Sequence, residues 1–228
     1  MTILGIDTTT DFFCLVLYKD NKIYEYRVEV GRKLSVFIMV MIKRALEAAG
    51  IGLEEIDYFA CGLGPGSFTG TRIGLATIKA LAWSKKKPVI GISTLDILAL
   101  NADTHGYVMP VIDAKRNLIY SGIFKNNNGQ LRKISPYMLL GEKELLKKIK
   151  PGSILLGDAL KLYKENFSRN SKGVFFMGAD CWYPRPRNII TLALERIRKA
   201  KISNSFEVKP VYLYPKECQI KSVAGKRS

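Results

Sequence analysis

Metal-ligating and redox residues are scarce in this sequence. Among 228 residues there is one histidine, His105, and four cysteines, Cys14, Cys61, Cys181 and Cys218. A structural zinc site needs about four such ligands at close spacing, and these lie far apart with no Cys-x-x-Cys pair, so no metal centre of that kind is expected. Cys14 and Cys61 fall inside apolar runs and read as small buried hydrophobes. No apolar run approaches the roughly 18 residues of a membrane span, and the opening MTILGIDTTT has no basic signal region. A cytoplasmic protein without a membrane partner is expected.

Acidic residues are also few. Lys+Arg number 36 against 20 Asp+Glu, a net charge of +16, while 47% of the chain is hydrophobic. That hydrophobicity excludes a disordered chain, and the length supports one large domain or two small ones. The half ending at Ile112 carries 12 bases and 11 acids, net +1; the half from Asp113 carries 24 and 9, net +15. A clustered positive field attracts polyanions and releases counterions from phosphates, so a polyanion or acidic partner for the second half is one reading. A solvated lysine-rich surface is the other. Lys143, Lys147, Lys148 and Lys150 lie on one predicted helical region and Arg196, Arg198, Lys199 and Lys201 end another. Arg185, Arg187 and the tail bases Lys221, Lys226 and Arg227 add to them.

Periodicity and turn residues predict strands at 2–7, 12–18 and 22–30, a helix at 32–49, a strand at 57–63 and a loop at 64–70. A helix then runs through Trp83, followed by a strand at 89–92 and a helix capped by Ser93, with Asp96 completing the cap. The next strand, 107–113, restarts the pattern. Ile6-Asp7 aligns with Ile112-Asp113, the run 13–18 with 119–124, and the turn Asp20-Asn21 with Asn126-Asn127-Asn128-Gly129. The third strands, 23–30 and 130–137, align as well. The expected fold is therefore α/β, a duplicated β-β-β-α-β-α unit with mixed sheets, divided into lobes 1–105 and 106–228.

This plan resembles the actin-, hexokinase- and Hsp70-like ATPases (the ASKHA superfold, ribonuclease H-like), in which nucleotide sits between the lobes. The resemblance implies that the turn after each first strand approaches phosphate and metal, with Asp7 and Asp113 in the corresponding places. An alternative reading has each Asp capping its own turn. The ATPases have Asp-x-Gly-x-Thr at the first turn, whereas here Asp7-Thr8-Thr9-Thr10 puts β-branched residues where backbone must approach phosphate.

The segment Gly64-Pro65-Gly66-Ser67-Phe68-Thr69-Gly70-Thr71-Arg72-Ile73-Gly74 is not a Walker A loop, lacking Gly-Lys-Ser/Thr. It reads as a strand turning into a helix whose first amides are free, where Ser67, Thr69 and Arg72 are candidates for holding an anion. Gly66, Gly70 and Gly74 would equally clear one face for close packing, and both readings stay open.

The string GPGSFTGTRIGLATIKALA resembles the signature of the TsaB (YeaZ) family of bacterial threonylcarbamoyladenosine biosynthesis. Ile3 to Thr10, Asp113 to Tyr120, Gly157-Asp158 and Pro210-Val211-Tyr212-Leu213 are similar to further family landmarks. The resemblance implies an ATPase-like fold that has lost catalysis and acts as a partner of the catalytic subunit TsaD, a paralogue, and of the ATPase TsaE. That assembly places threonylcarbamoyl on N6 of adenosine 37 in tRNAs reading codons that begin with A. It implies no cofactor required by this chain, ATP or ADP at the complex interface, and a homodimer in isolation. TsaD carries metal-binding histidines on its first long helix, and many TsaB-like chains have His-Ser-Glu there. This chain has Lys33-Leu34-Ser35-Val36.

That helix is apolar nearly all round. Leu34, Phe37, Ile38, Met41, Ile42, Ala45, Leu46 and Ala49 follow core spacing, leaving Val36, Met39 and Val40, beside Lys43, on the other side. Such a helix is either central or covered by a partner. Ala76, Lys79, Ala80 and Trp83 of the following helix could lie beside it and complete a partner interface. The competing enzymatic reading is a nucleotide-dependent ATPase or phosphotransferase in the interlobe cleft. A peptidase finds no Ser-His-Asp or metal constellation.

Overall fold

The computed structural model describes residues 1–127 and 130–215. Cys218, the tail bases Lys221, Lys226 and Arg227, and the Asn128-Gly129 part of the second hairpin turn lie outside the described residues.

The first half opens with an antiparallel meander, β1 (Thr2–Asp7), β2 (Phe12–Lys19) and β3 (Lys22–Glu29). Asp20 and Asn21 both take positive φ in the two-residue turn that pairs Lys19 with Lys22, the geometry a right-twisted hairpin requires. Then come α1 (Leu34–Ala49), β4 (Tyr58–Gly62), α2 (Phe68–Ser84), β5 (Val89–Ile92) and α3 (Thr94–Ala99). β4 joins β1 in parallel and β5 joins β4, giving the order β3-β2-β1-β4-β5. Every residue of β1 is buried because both faces are covered. Leu4 and Ile6 point into a core with α1 and α2, while Ile3 points into another with α6 (Pro186–Arg198), from the far end of the chain.

The second half repeats the plan: β6 (Gly106–Lys115), β7 (Leu118–Ser121), β8 (Phe124–Asn127), β9 (Gln130–Lys133), β10 (Met138–Gly141), α4 (Glu142–Leu146), β11 (Ile154–Leu156), α5 (Leu160–Asn170) and β12 (Phe175–Phe176) precede α6. Its order, β10-β7-β6-β11-β12, is that of the first sheet, and this correspondence makes the fold a duplicated ASKHA-type α/β architecture. The second and third strands of this half are each broken in two, unlike the continuous strands expected from sequence. β7 pairs with the end of β6 and β8 with its beginning. At the break, Ile123 N–H donates to Ser135 Oγ at 2.8 Å, and Pro136 has no N–H to continue a ladder.

The last helices are exchanged. α3 packs on the second sheet through Leu95 and Leu98, whereas α6 packs on the first through Ile189, Ile190 and Ala193. Asp96 does not complete the Ser93 cap. It accepts Tyr137 Oη at 2.7 Å and Arg196 Nη2 at 3.2 Å, tying α3 to the second half and to α6.

Candidate functional site: the interlobe cleft and an exposed helix pair

A cleft of about 540 Å³ opens between the two first-strand turns. Thr9, Thr10, Asp11, Ser67 and Phe68 line one wall, Asp113, Lys115, Arg116 and Asp158 the other, and Val211 to Tyr214 lie along it. Asp7 does not reach this space. It is fully buried, and its oxygens accept Thr9 N–H at 2.9 Å, Thr9 Oγ1 at 2.7 Å and Thr94 Oγ1 at 2.9 Å. Burial raises its pKa, against those three hydrogen bonds.

The glycine segment explains the enclosure. α2 starts at Phe68, so the last three residues of the expected loop are helical, with Ser67 Oγ accepting Gly70 N–H at 3.2 Å. A Cβ on Gly70 would come within 2.0 Å of Thr8 O and one on Gly74 within 2.1 Å of Thr8 Oγ1, with Gly66 similarly tight on Thr9 O. The four-residue spacing thus clears one face of α2 for the Thr8-Thr9 turn to rest on. A metal-phosphate group held in the actin-like manner needs a free carboxylate and open backbone here. The carboxylate is occupied and the turn covered, so these residues do not fit that group.

The three anion candidates do not converge. Ser67 caps its helix, and Thr69 is exposed outside the cleft lining. Arg72 lies over the Phe68 ring, 3.6 Å from its centroid, and donates to Tyr212 Oη at 3.1 Å. Asp113 does face the cleft, but it closes its own turn by accepting Lys115 N–H at 2.8 Å and Lys115 Nζ at 2.6 Å. Lys115, Arg116 and Asn117 hold this turn at positive φ. Asp113 N–H donates to Asp158 Oδ1 at 2.9 Å. Burial pushes the Asp158 carboxyl up to about 6; that amide opposes the shift, while the charges of Asp113 and Asp11 add to it. From the sequence Asp158 is only a landmark of the family resemblance, since nothing local reveals that it meets Asp113 across β6 and β11. Among the described residues, no group of three His, Cys, Asp or Glu could hold a metal ion, and His105 is exposed.

The second feature is the outer face of α1 and α2. Leu34, Ile38, Ile42 and Ala45 are buried, while Val36 is 70% exposed, Met39 48% and Val40 46%. Phe37, expected inward, is 40% exposed, because at 100° per residue it lies about a quarter turn from the centre of the buried stripe. Lys43, Ala76 and Ala80 are exposed, Lys79 is partly so, and Trp83 is 66% exposed. α1 and α2 pack against each other.

Comparison with known proteins resolves the family. Over 204 residues the chain is 32% identical to the tRNA threonylcarbamoyladenosine biosynthesis protein TsaB of Bacillus subtilis strain 168, covering 86% of this chain and 88% of that protein. The chain belongs to the TsaB (YeaZ) family. TsaB of Buchnera aphidicola subsp. Schizaphis graminum is also 32% identical, over 211 residues covering 90% of this chain and 98% of that one. The family model described as "TsaD: tRNA N6-adenosine threonylcarbamoyltransferase" matches residues 28–206. The solved structure of YeaZ from Pseudomonas aeruginosa shares this TsaB-family fold with a TM-score of 0.81 at 24% identity, covering 92% of this chain and 100% of that one.

Proposed function

We propose that this chain acts in tRNA threonylcarbamoyladenosine biosynthesis as a non-catalytic partner subunit that binds and stabilises the catalytic subunit TsaD in a complex with the ATPase TsaE, in the cytoplasm. The observation that carries the reading is the exposed apolar strip of α1, Val36, Met39 and Val40, on a helix that packs against α2, where Trp83 is also exposed. Such a strip buries little in the monomer, and covering it removes apolar area from water at roughly 25 cal/mol per Å². Methionine suits an adaptable contact. A second copy of the chain is the occupant proposed in the absence of TsaD, because two helices from each of two copies can form a four-helix interface. The chain itself needs no cofactor in this reading, and any ATP or ADP belongs at the complex interface.

The test is co-purification. Val36→Asp and Met39→Glu replace exposed side chains, so the monomer keeps its circular dichroism and melting temperature while retention of TsaD is lost. Full retention by both variants overturns the interface.

A further inference from the structure

A second groove, of about 810 Å³, lies at the far end of α2, between the turn into β5 and the strap that follows α6. Its walls are Trp83, Lys86 and Lys87 on one side and Ile202 and Phe206 on the other. The strap is held to the first sheet by paired backbone hydrogen bonds between Val89 and Ser203, 2.8 and 3.0 Å, and by Lys79 Nζ donating to Phe206 O at 3.5 Å. Two large rings stand out of it: Trp83 is 66% and Phe206 73% exposed. Neither belongs to a core cluster among the described residues, and both line the groove.

The groove is lined by two bases, Lys86 and Lys87, and one acid, Glu207, and the chain that flanks it is more basic. Residues 79–88 contain four lysines and no acid; residues 198–209 contain four Lys/Arg and one acid, Glu207. Lys87 lies 4.0 Å from Asp57 and Lys199 pairs with Glu195, whereas Lys86, in the lining, and Lys201, exposed next to Ile202 at its edge, make no ion pair among the described residues. Exposed rings between unpaired cations are the arrangement that holds single-stranded nucleic acid, with bases stacking on the rings and phosphates meeting the lysines. An acidic peptide would satisfy the lysines but would leave two planar rings without stacked partners.

We propose that this groove binds a single-stranded RNA segment, with one base stacked on Phe206, another on Trp83, and phosphates at Lys86 and Lys201. The proposal deepens the tRNA-modification reading by naming a contact surface, and it rests on that reading only for the source of the RNA. Trp83 is shared with the proposed protein interface, so the discriminating residues are Phe206 and Lys86.

The experiment uses the full chain and a fluorescein-labelled oligoadenylate of about eight nucleotides, followed by anisotropy and by tryptophan emission. The expected result is binding that weakens linearly in log K against log salt and quenches tryptophan emission, with the quench lost in Trp83→Phe. Phe206→Ala and Lys86→Glu should each weaken it by about fivefold or more, with melting temperature unchanged. No binding, or binding unaffected by either substitution, overturns the proposal. So does polyglutamate competing as well as RNA, or Phe206→Ala releasing TsaD while leaving RNA affinity intact, which would assign the groove to a protein partner. Val36→Asp keeps RNA affinity, so failure of the protein interface and failure of the groove are read separately.

Discussion

Asp7 is a fully buried carboxylate that serves its own turn. Its three hydrogen bonds replace the solvent it has lost. Asp7→Ala leaves the Thr9 amide and one of the two buried threonine hydroxyls, which lie 2.8 Å apart, short of an acceptor and is expected to cost about 2–4 kcal/mol in urea unfolding. Asp7→Asn keeps an acceptor for Thr9 and removes the buried ionisable group, so it should cost much less. Asp158 gives a pH signature. Its folded pKa of about 6 lies above the ordinary 3.8, so the folded state holds the extra proton between those values. Stability from this group is greatest below the unfolded value and falls as pH rises towards and through 6. Thermal melts should show Asp158→Asn more stable than the parent at pH 7, by on the order of 1 kcal/mol, with the advantage shrinking at pH 5. The four-residue spacing of Gly66, Gly70 and Gly74 offers a close-packed face as one of two readings, and the contacts with Thr8 and Thr9 decide for it. The role of Asp96 is not legible in the sequence, because its partners Tyr137 and Arg196 are 41 and 100 residues away.

At the scale of elements, α1 carries both the core and the proposed interface. It ends in a Schellman geometry, with Gly50 at φ +64, Gly50 N–H on Glu47 O and Ile51 N–H on Leu46 O. Nothing lies within 4 Å of a Cβ built on Gly50, so Gly50→Ala isolates the left-handed backbone cost, about 1 kcal/mol in chemical denaturation. The bounds of α1 and the first meander follow from local period and turn residues. The broken strands of the second half do not, because the break depends on a side-chain acceptor, Ser135, replacing a backbone one across twelve residues.

For the whole molecule, the repeated strand order could be read from the recurrence of Ile-Asp ahead of two similar meanders, but the exchange of α3 and α6 left no local pattern. That exchange also redistributes charge. The sequence placed nearly all the excess in the second half, yet residues 198–209 return beside the end of α2, so part of that charge belongs spatially to the first sheet. The resulting molecule has an occupied, self-hydrogen-bonded first turn, an apolar helix pair facing outward and a basic groove at the pair's end. The most direct measurement of the partner-subunit account is reconstituted modification of tRNA with this chain, its TsaD and its TsaE, omitting each in turn and then supplying Val36→Asp. The account predicts that omission and Val36→Asp both abolish product, while Asp7→Asn, if folded, sustains it. Product formed at the parental rate with Val36→Asp, or lost with folded Asp7→Asn, would contradict it.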